Sequence, residues 1–273
     1  MKRESIVIHS LSVFGMIFMC CIVLIIGVLV GFMRNDSVTS SMQKANYYTE
    51  TYEILKQSIR SMAEETGIPE SVITDIIPEN IFYITGRTYV VKTLEGKKDD
   101  LGIDQLNESL MNAIDLFYLK QRIQLNEEAI KEEKKVVQTI CNIYEESIRL
   151  EFIEDIAHIK ASYRTFILTV SISLLLGLAI TIGLVFWLTP YCHRAFRQIA
   201  YMGMPAGILS IIISLLFYRK LNFDEIEPLY YIDFLQHYFD SGIRSMIVAA
   251  TVVIVLSVLL WIVAYYIKCK KFK

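Results

Sequence analysis

Few side chains in this chain stand at spacings that could do chemistry. The densest acidic groupings are Glu64-Glu65, Glu127-Glu128 and Glu132-Glu133. General acid–base work needs two carboxyls converging on one bond, whereas adjacent positions of a helix diverge. With Lys131, Lys134 and Lys135, these acids are expected to form a solvated, salt-bridged face. His9 is the one histidine inside a long apolar stretch. It lies about a turn from the charged terminus and reaches headgroups, so it reads as a boundary residue rather than a proton relay. Asp233 and His237 could hold a ligand, but a solvated interfacial pair is the plainer reading. The sequence contains no GxxxxGK[ST], GxGxxG after a strand, HExxH, CxxC or GxSxG. The chemistries those patterns serve therefore have no basis here. The expectation is no enzyme, with no catalytic, cofactor-binding or metal residues.

The five cysteines argue against a disulfide scaffold. Cys20 and Cys21 lie in an apolar stretch, and Cys192 and Cys269 lie beside basic residues. Only Cys141 falls in the polar block that follows the first stretch, so no internal bridge forms there. It is expected to be a small buried apolar residue; a bridge across a dimer is the alternative.

Four apolar stretches organise everything else. They cover residues 6–32, 165–188, 199–218 and 245–267. Each has the roughly 20 residues that cross a bilayer core as a helix. The chain has 273 residues, 54% of them hydrophobic, and a mean hydropathy of +0.43. Residues 34–164, by contrast, have the composition of an ordinary soluble domain. The first stretch is nearly 27 residues long, well beyond the roughly 7–15 of a signal-peptide core, and reads as an uncleaved anchor.

Charge orients the spans. Residues 1–5, 189–198 and 268–273 together carry +7, residues 34–164 carry −7, and residues 219–244 carry −2. Short basic segments stay in the cytoplasm, while long domains cross regardless of charge. Both termini and the 189–198 loop are therefore expected inside. Residues 34–164 and 219–244 are expected outside, and residues 268–273 form a basic cytoplasmic tail.

The 34–164 block carries helical periodicity. Ala45, Tyr48, Tyr52, Leu55, Ile59 and Met62 recur every three or four residues. Gly67 reads as a C-cap and Pro69 as the first position of the next helix, which carries Val72, Ile73, Ile76 and Ile77 and stops before Pro78. Residues 79–94 fit either a helix with Ile81, Ile84, Thr88 and Val91 on one face or a hairpin around Gly86-Arg87. Helix is the preferred reading, because the surroundings are helical. The loop 96–102 precedes a helix with Leu106, Leu110, Ile114 and Phe117 inward and Asp104 at its start. From Asn126 to Leu188 the first 38 residues lack Pro and Gly. This predicts one helix of about 60 residues, on the order of 90 Å, running through the second span. With no strong breaker between Met33 and Glu65, a second strut is expected. Such helices could carry movement inward, or simply anchor the domain.

No Asp, Glu, Lys or Arg lies inside the four stretches, which argues against a pump, a proton-coupled carrier or a voltage sensor. Gly27 and Gly31, and Gly203 and Gly207, form two GxxxG pairs. They are candidate helix-packing positions, for this bundle or for another membrane protein. Pro205 should kink the third span. In the 219–244 loop an interfacial helix is expected to start at Pro228 and end before Gly242. The acidic 34–164 domain lacks a basic patch, so nucleic acid is excluded as a partner.

The fold class expected is an all-α membrane protein: a four-helix bundle with a helical extracytoplasmic domain between helices 1 and 2. This layout resembles that of four-span permeases of the FtsX and MacB kind. They too have inside termini, a large outer domain after the first span and a smaller outer loop after the third. The resemblance implies a cytoplasmic ATPase partner and mechanical signalling, with Arg194 and Arg197 as contacts. Claudin-like proteins share the layout, but their first-loop Trp and paired Cys are missing. Read from its residues alone, the chain is a bacterial, multi-pass plasma-membrane protein: a sensor, scaffold or accessory subunit of an envelope complex, working through contacts with another membrane or envelope protein and open to homo-oligomerisation. An oligomeric channel or exporter using Ser171, Ser173, Thr181, Ser210 and Ser214 is the last alternative.

Overall fold

The structure is a computed structural model, and it describes residues 2–98, 100–122, 127–221 and 229–271. It is about 90% helix, with no strand among the described residues. Four of its helices are long and apolar enough to cross a membrane. The chain divides into two compact units, Met1–Ser41 with Lys160–Lys273, and Met42–Ile159.

The first unit holds the apolar helices: α1 (Lys2–Gly31), the later part of α8 (Glu151–Leu188), α9 (Cys192–Lys220) and α10 (Leu229–Lys271). Apolar burial does not drive helices together in lipid, so close backbone approach at small residues must. That is what α1, α9 and α10 do, packing pairwise on one another. The fourth helix sits to one side. Gly177 of α8 faces the Phe18 ring, Thr181 approaches Gly15, and Val185 is buried with Ala195 and Met202 beside Leu11. The rest of its apolar surface, including Phe166, Ile172, Leu176 and Ile180, is exposed. The expected four-helix bundle is thus three tightly packed helices with α8 at the side.

Two features of this unit differ from expectation. The segment 189–198 is mostly helix, since α9 starts at Cys192 and leaves only Thr189–Tyr191 as the turn. No interfacial helix ends before Gly242, because α10 runs from Leu229 to Lys271 without a break. Its 43 residues span about 65 Å, twice a bilayer core. The expected start at Pro228 lies outside the described residues. Gly242 does not stop the helix because its missing side chain is filled by the Phe32 ring. Phe32 also meets the rings of Tyr238 and Phe239 edge-on, and Tyr238 donates to the Phe32 carbonyl at 2.8 Å. At the same end of α1, Lys160 Nζ donates to the Arg34 carbonyl at 3.3 Å.

The second unit contains α3 (Tyr47–Thr66), α4 (Glu70–Thr74), α5 (Glu79–Leu94), α6 (Ile103–Gln121), α7 (Glu127–Ile148) and the first turns of α8. Its core is built from Leu55, Ile59, Ile73, Phe82, Leu110, Ile114 and Ile140, all fully buried. Gly67 ends α3 in the left-handed region (φ 71°), with its N–H bonded to the Ala63 carbonyl, as a glycine C-cap requires. Residues 79–94 are helical, but the buried stripe is Phe82, Gly86, Tyr89 and Val90, while Ile81 and Ile84 face solvent. Gly86 is inward because the Tyr48 ring lies against it, 3.0 Å from where a Cβ would stand. Asp104 does not cap α6; Gly102 (φ 65°) does.

Neither expected strut is continuous. The first is broken after Gly31, where α2 (Asn35–Lys44) follows, and again at Asn46, which adopts φ 49° ahead of α3. Asn tolerates that conformation better than most residues. The second is broken at Arg149-Leu150, between α7 and α8. No residue there opposes helix formation. Ile148, Leu150 and Ile153 are all buried, and one continuous helix would point Ile148 and Leu150 about 200° apart. Turning the chain buries all three, so tertiary packing overrides local propensity.

Candidate functional site

The sequence-derived contact candidates, Arg194 and Arg197, occupy the first turns of α9. Ala195, Ile199 and Met202 are buried on that helix, which fixes its rotation. Arg194 and Arg197, three residues apart on the opposite face, are exposed. Tyr191 precedes α9 in extended geometry (φ −126°, ψ 124°) without a side-chain cap. Its ring stacks on His193 at 5.6 Å and lies 5.2 Å below the Arg194 guanidinium, within the range of a cation–π contact. The Thr189 hydroxyl is buried in the preceding turn with no hydrogen-bond partner among the described residues.

The four GxxxG glycines lie at contacts within the three packed helices. A Cβ at Gly27 would stand 2.5 Å from Met246 Cγ, and one at Gly31 would stand 2.7 Å from Gly242 Cα. A Cβ at Gly207 would stand 2.5 Å from Ile254, and one at Gly203 would overlap the Ser257 hydroxyl. Both pairs therefore face α10, and Gly242, the counterpart of Gly31, is not among the packing positions read from the sequence.

The five candidate pore hydroxyls each donate back to their own helix, and Ser210 also meets Cys20 Sγ of α1 at 3.4 Å. Ser171 donates to Ile167 O, Ser173 to Thr169 O, Thr181 to Gly177 O, Ser210 to Ala206 O and Ser214 to Ser210 O, at 2.7–3.0 Å. Such back-bonding leaves little polarity to offer a permeating solute. His9, Asp233 and His237 are exposed. No cluster of metal-ligating side chains occurs among the described residues. The five cysteines are free, with Cys20 and Cys141 buried and Cys192 and Cys269 exposed. Burial pushes the Cys141 thiol above its ordinary value.

One acidic residue was misread. Glu133 is not part of a solvated face: it is 4% exposed, and its Oε1 has no hydrogen-bond partner among the described residues. Burial pushes its carboxyl up, the nearby Asp115 charge adds to this, and Lys134 opposes it. The signal was present in the spacing. Positions 133, 137, 141 and 144 share one helix face, and Val137, Cys141 and Tyr144 are core.

No protein-family model matches the sequence, and no curated protein and no solved structure matches it. The four apolar helices are compatible, by length and composition, with a multi-pass membrane protein.

Proposed function

We propose that this is a bacterial plasma-membrane protein that acts through protein–protein contacts, as a sensor, scaffold or accessory subunit of an envelope complex, and not as an enzyme. In this reading both termini and the α8–α9 turn are cytoplasmic and the Met42–Ile159 unit is extracytoplasmic. Orientation is supported by eight Lys/Arg in residues 1–5, 189–198 and 268–273 against three in the short 219–244 segment. The observation that carries contact as the mode of action is apolar exposure on the polar unit. Leu116 and Leu119, three residues apart on α6, are 56% and 73% exposed, and Ile81 and Ile84 repeat the pattern on α5. Aliphatic pairs exposed at helical spacing on a polar unit support a surface that a partner covers. The test is crosslinking in native membranes followed by affinity purification. A Leu116→Glu/Leu119→Glu variant should lose a stoichiometric partner that Ile180→Ala, changed on the exposed face of α8, retains. Equal recovery from both variants sinks the reading.

A second reading, a permease-like subunit of an ATP-driven complex, is favoured by Arg194 and Arg197 standing exposed on one face of α9. Arg194→Glu with Arg197→Glu should release a cytoplasmic ATPase; unchanged association removes the idea. Rigid transmission has less support, because α7 and α8 are separate helices. A channel has less support too, because the span hydroxyls bond to their own helices.

A further inference from the structure

An apolar groove of about 350 Å³ lies among α1, α9 and α10. Leu24, Val28 and Phe32 form one wall, Ile213 and Phe217 the second, and Met246 the third. The groove follows α1 for about 12 Å, the rise from Leu24 to Phe32. Ser214 also borders it, but its hydroxyl donates to the Ser210 carbonyl and the residue is buried, so the groove presents an apolar surface. The volume is more than twice the roughly 150 Å³ of an apolar cavity that takes benzene.

Charge narrows the occupant further. Ile213, Phe217 and Lys220 follow at intervals of four and three residues, so they share one face of α9. Lys220 thus ends the same stripe that walls the groove, with Arg219 beside it; both are exposed in the last turn of α9. An apolar slot inside a membrane span with cations at one end matches an amphiphile with an anionic head and a hydrocarbon tail.

We infer that the groove holds one acyl chain of a phospholipid whose phosphate is met by Lys220. The assignment is independent of the partner-binding reading and of which side of the membrane this end occupies.

The full chain is reconstituted into phosphatidylcholine vesicles carrying a minor fraction of phosphatidylglycerol with a diazirine in its acyl chain, illuminated, and mapped by mass spectrometry. Adducts should concentrate on residues 24–32 and 213–217. The exposed α8 side chains Ile172, Leu176 and Ile180 report ordinary bulk-lipid contact in the same sample. Even labelling of groove and α8 overturns the site, as does a groove crosslinked to a second copy of the chain. Ile213→Trp should fill the groove and remove its adducts while leaving those on α8. Should that variant not reconstitute, the exposed change Lys220→Gln decides the matter. It should lower groove labelling by the anionic probe relative to a phosphatidylcholine probe by roughly fivefold. An unchanged ratio overturns the phosphate assignment.

Discussion

Gly31 and Gly242 meet where α1 crosses α10, so closely that a methyl on Gly31 would stand 2.7 Å from the Gly242 Cα and 2.8 Å from its carbonyl oxygen. Both neighbours are backbone, so neither can swing aside. Gly31→Val should cost about 1–3 kcal/mol, typical of overpacking, read as a lower thermal midpoint in detergent. Gly183 supplies the contrast, since nothing lies within 4 Å of a Cβ there. Gly183→Ala should be neutral or stabilising by about 0.5–1 kcal/mol. Equal losses in both variants would remove close approach as the explanation.

Glu133 makes the stability of the Met42–Ile159 unit pH-dependent. Its carboxyl is raised above the ordinary 4.5 by burial and then by Asp115. The folded state therefore binds this proton more tightly than the unfolded state does. The stabilisation is fully present below about pH 4.5 and is lost as pH rises through the raised folded value. Glu133→Gln should flatten this dependence and stabilise the unit by about 1 kcal/mol at neutral pH. Thermal melts from pH 4 to 8 on both proteins check it, and parallel curves would be the contrary result.

Tyr52 donates from the core to the Ile77 carbonyl at 2.9 Å, tying α3 to the segment after α4. Tyr52→Phe keeps the ring against Phe82 but strands a buried carbonyl. The expected loss is about 1–2 kcal/mol, with faster amide exchange along α4. Unchanged exchange would mean that the carbonyl finds another donor.

Cysteine accessibility tests orientation. Cys192 and Cys269 are exposed and Cys141 is buried. In the proposed orientation a membrane-impermeant maleimide leaves both exposed cysteines unlabelled in intact cells and labels both after permeabilisation. Labelling of either one in intact cells would reverse that orientation.

Much of the architecture was legible because its causes are local. Apolar length identified the four long helices, and the three-and-four spacing of Tyr48, Tyr52, Leu55 and Ile59 marked a face that is buried. What escaped had non-local causes. Gly242 looks like a helix terminator until the Phe32 ring fills its missing side chain. The break at Arg149-Leu150 comes from burying Ile148, Leu150 and Ile153 together, which no nearby Pro or Gly announces. The phase of α5 was misjudged because Gly86 carries no apolar side chain to mark the buried face. Glu133 was assigned to solvent on residue type, although its register with Val137 and Cys141 placed it inward.

The pairing of Gly31 with Gly242 also sets an order of events during synthesis. The partner surface for α1 is encoded about 210 residues downstream, so at 5–20 residues per second the first helix waits roughly 10–40 s for it. Until α8 and α9, which also pack on α1, have been made, α1 must persist alone in the bilayer. A span without a single charged side chain between Ile6 and Phe32 is suited to that wait. The bundle can close only when the last helix has been inserted.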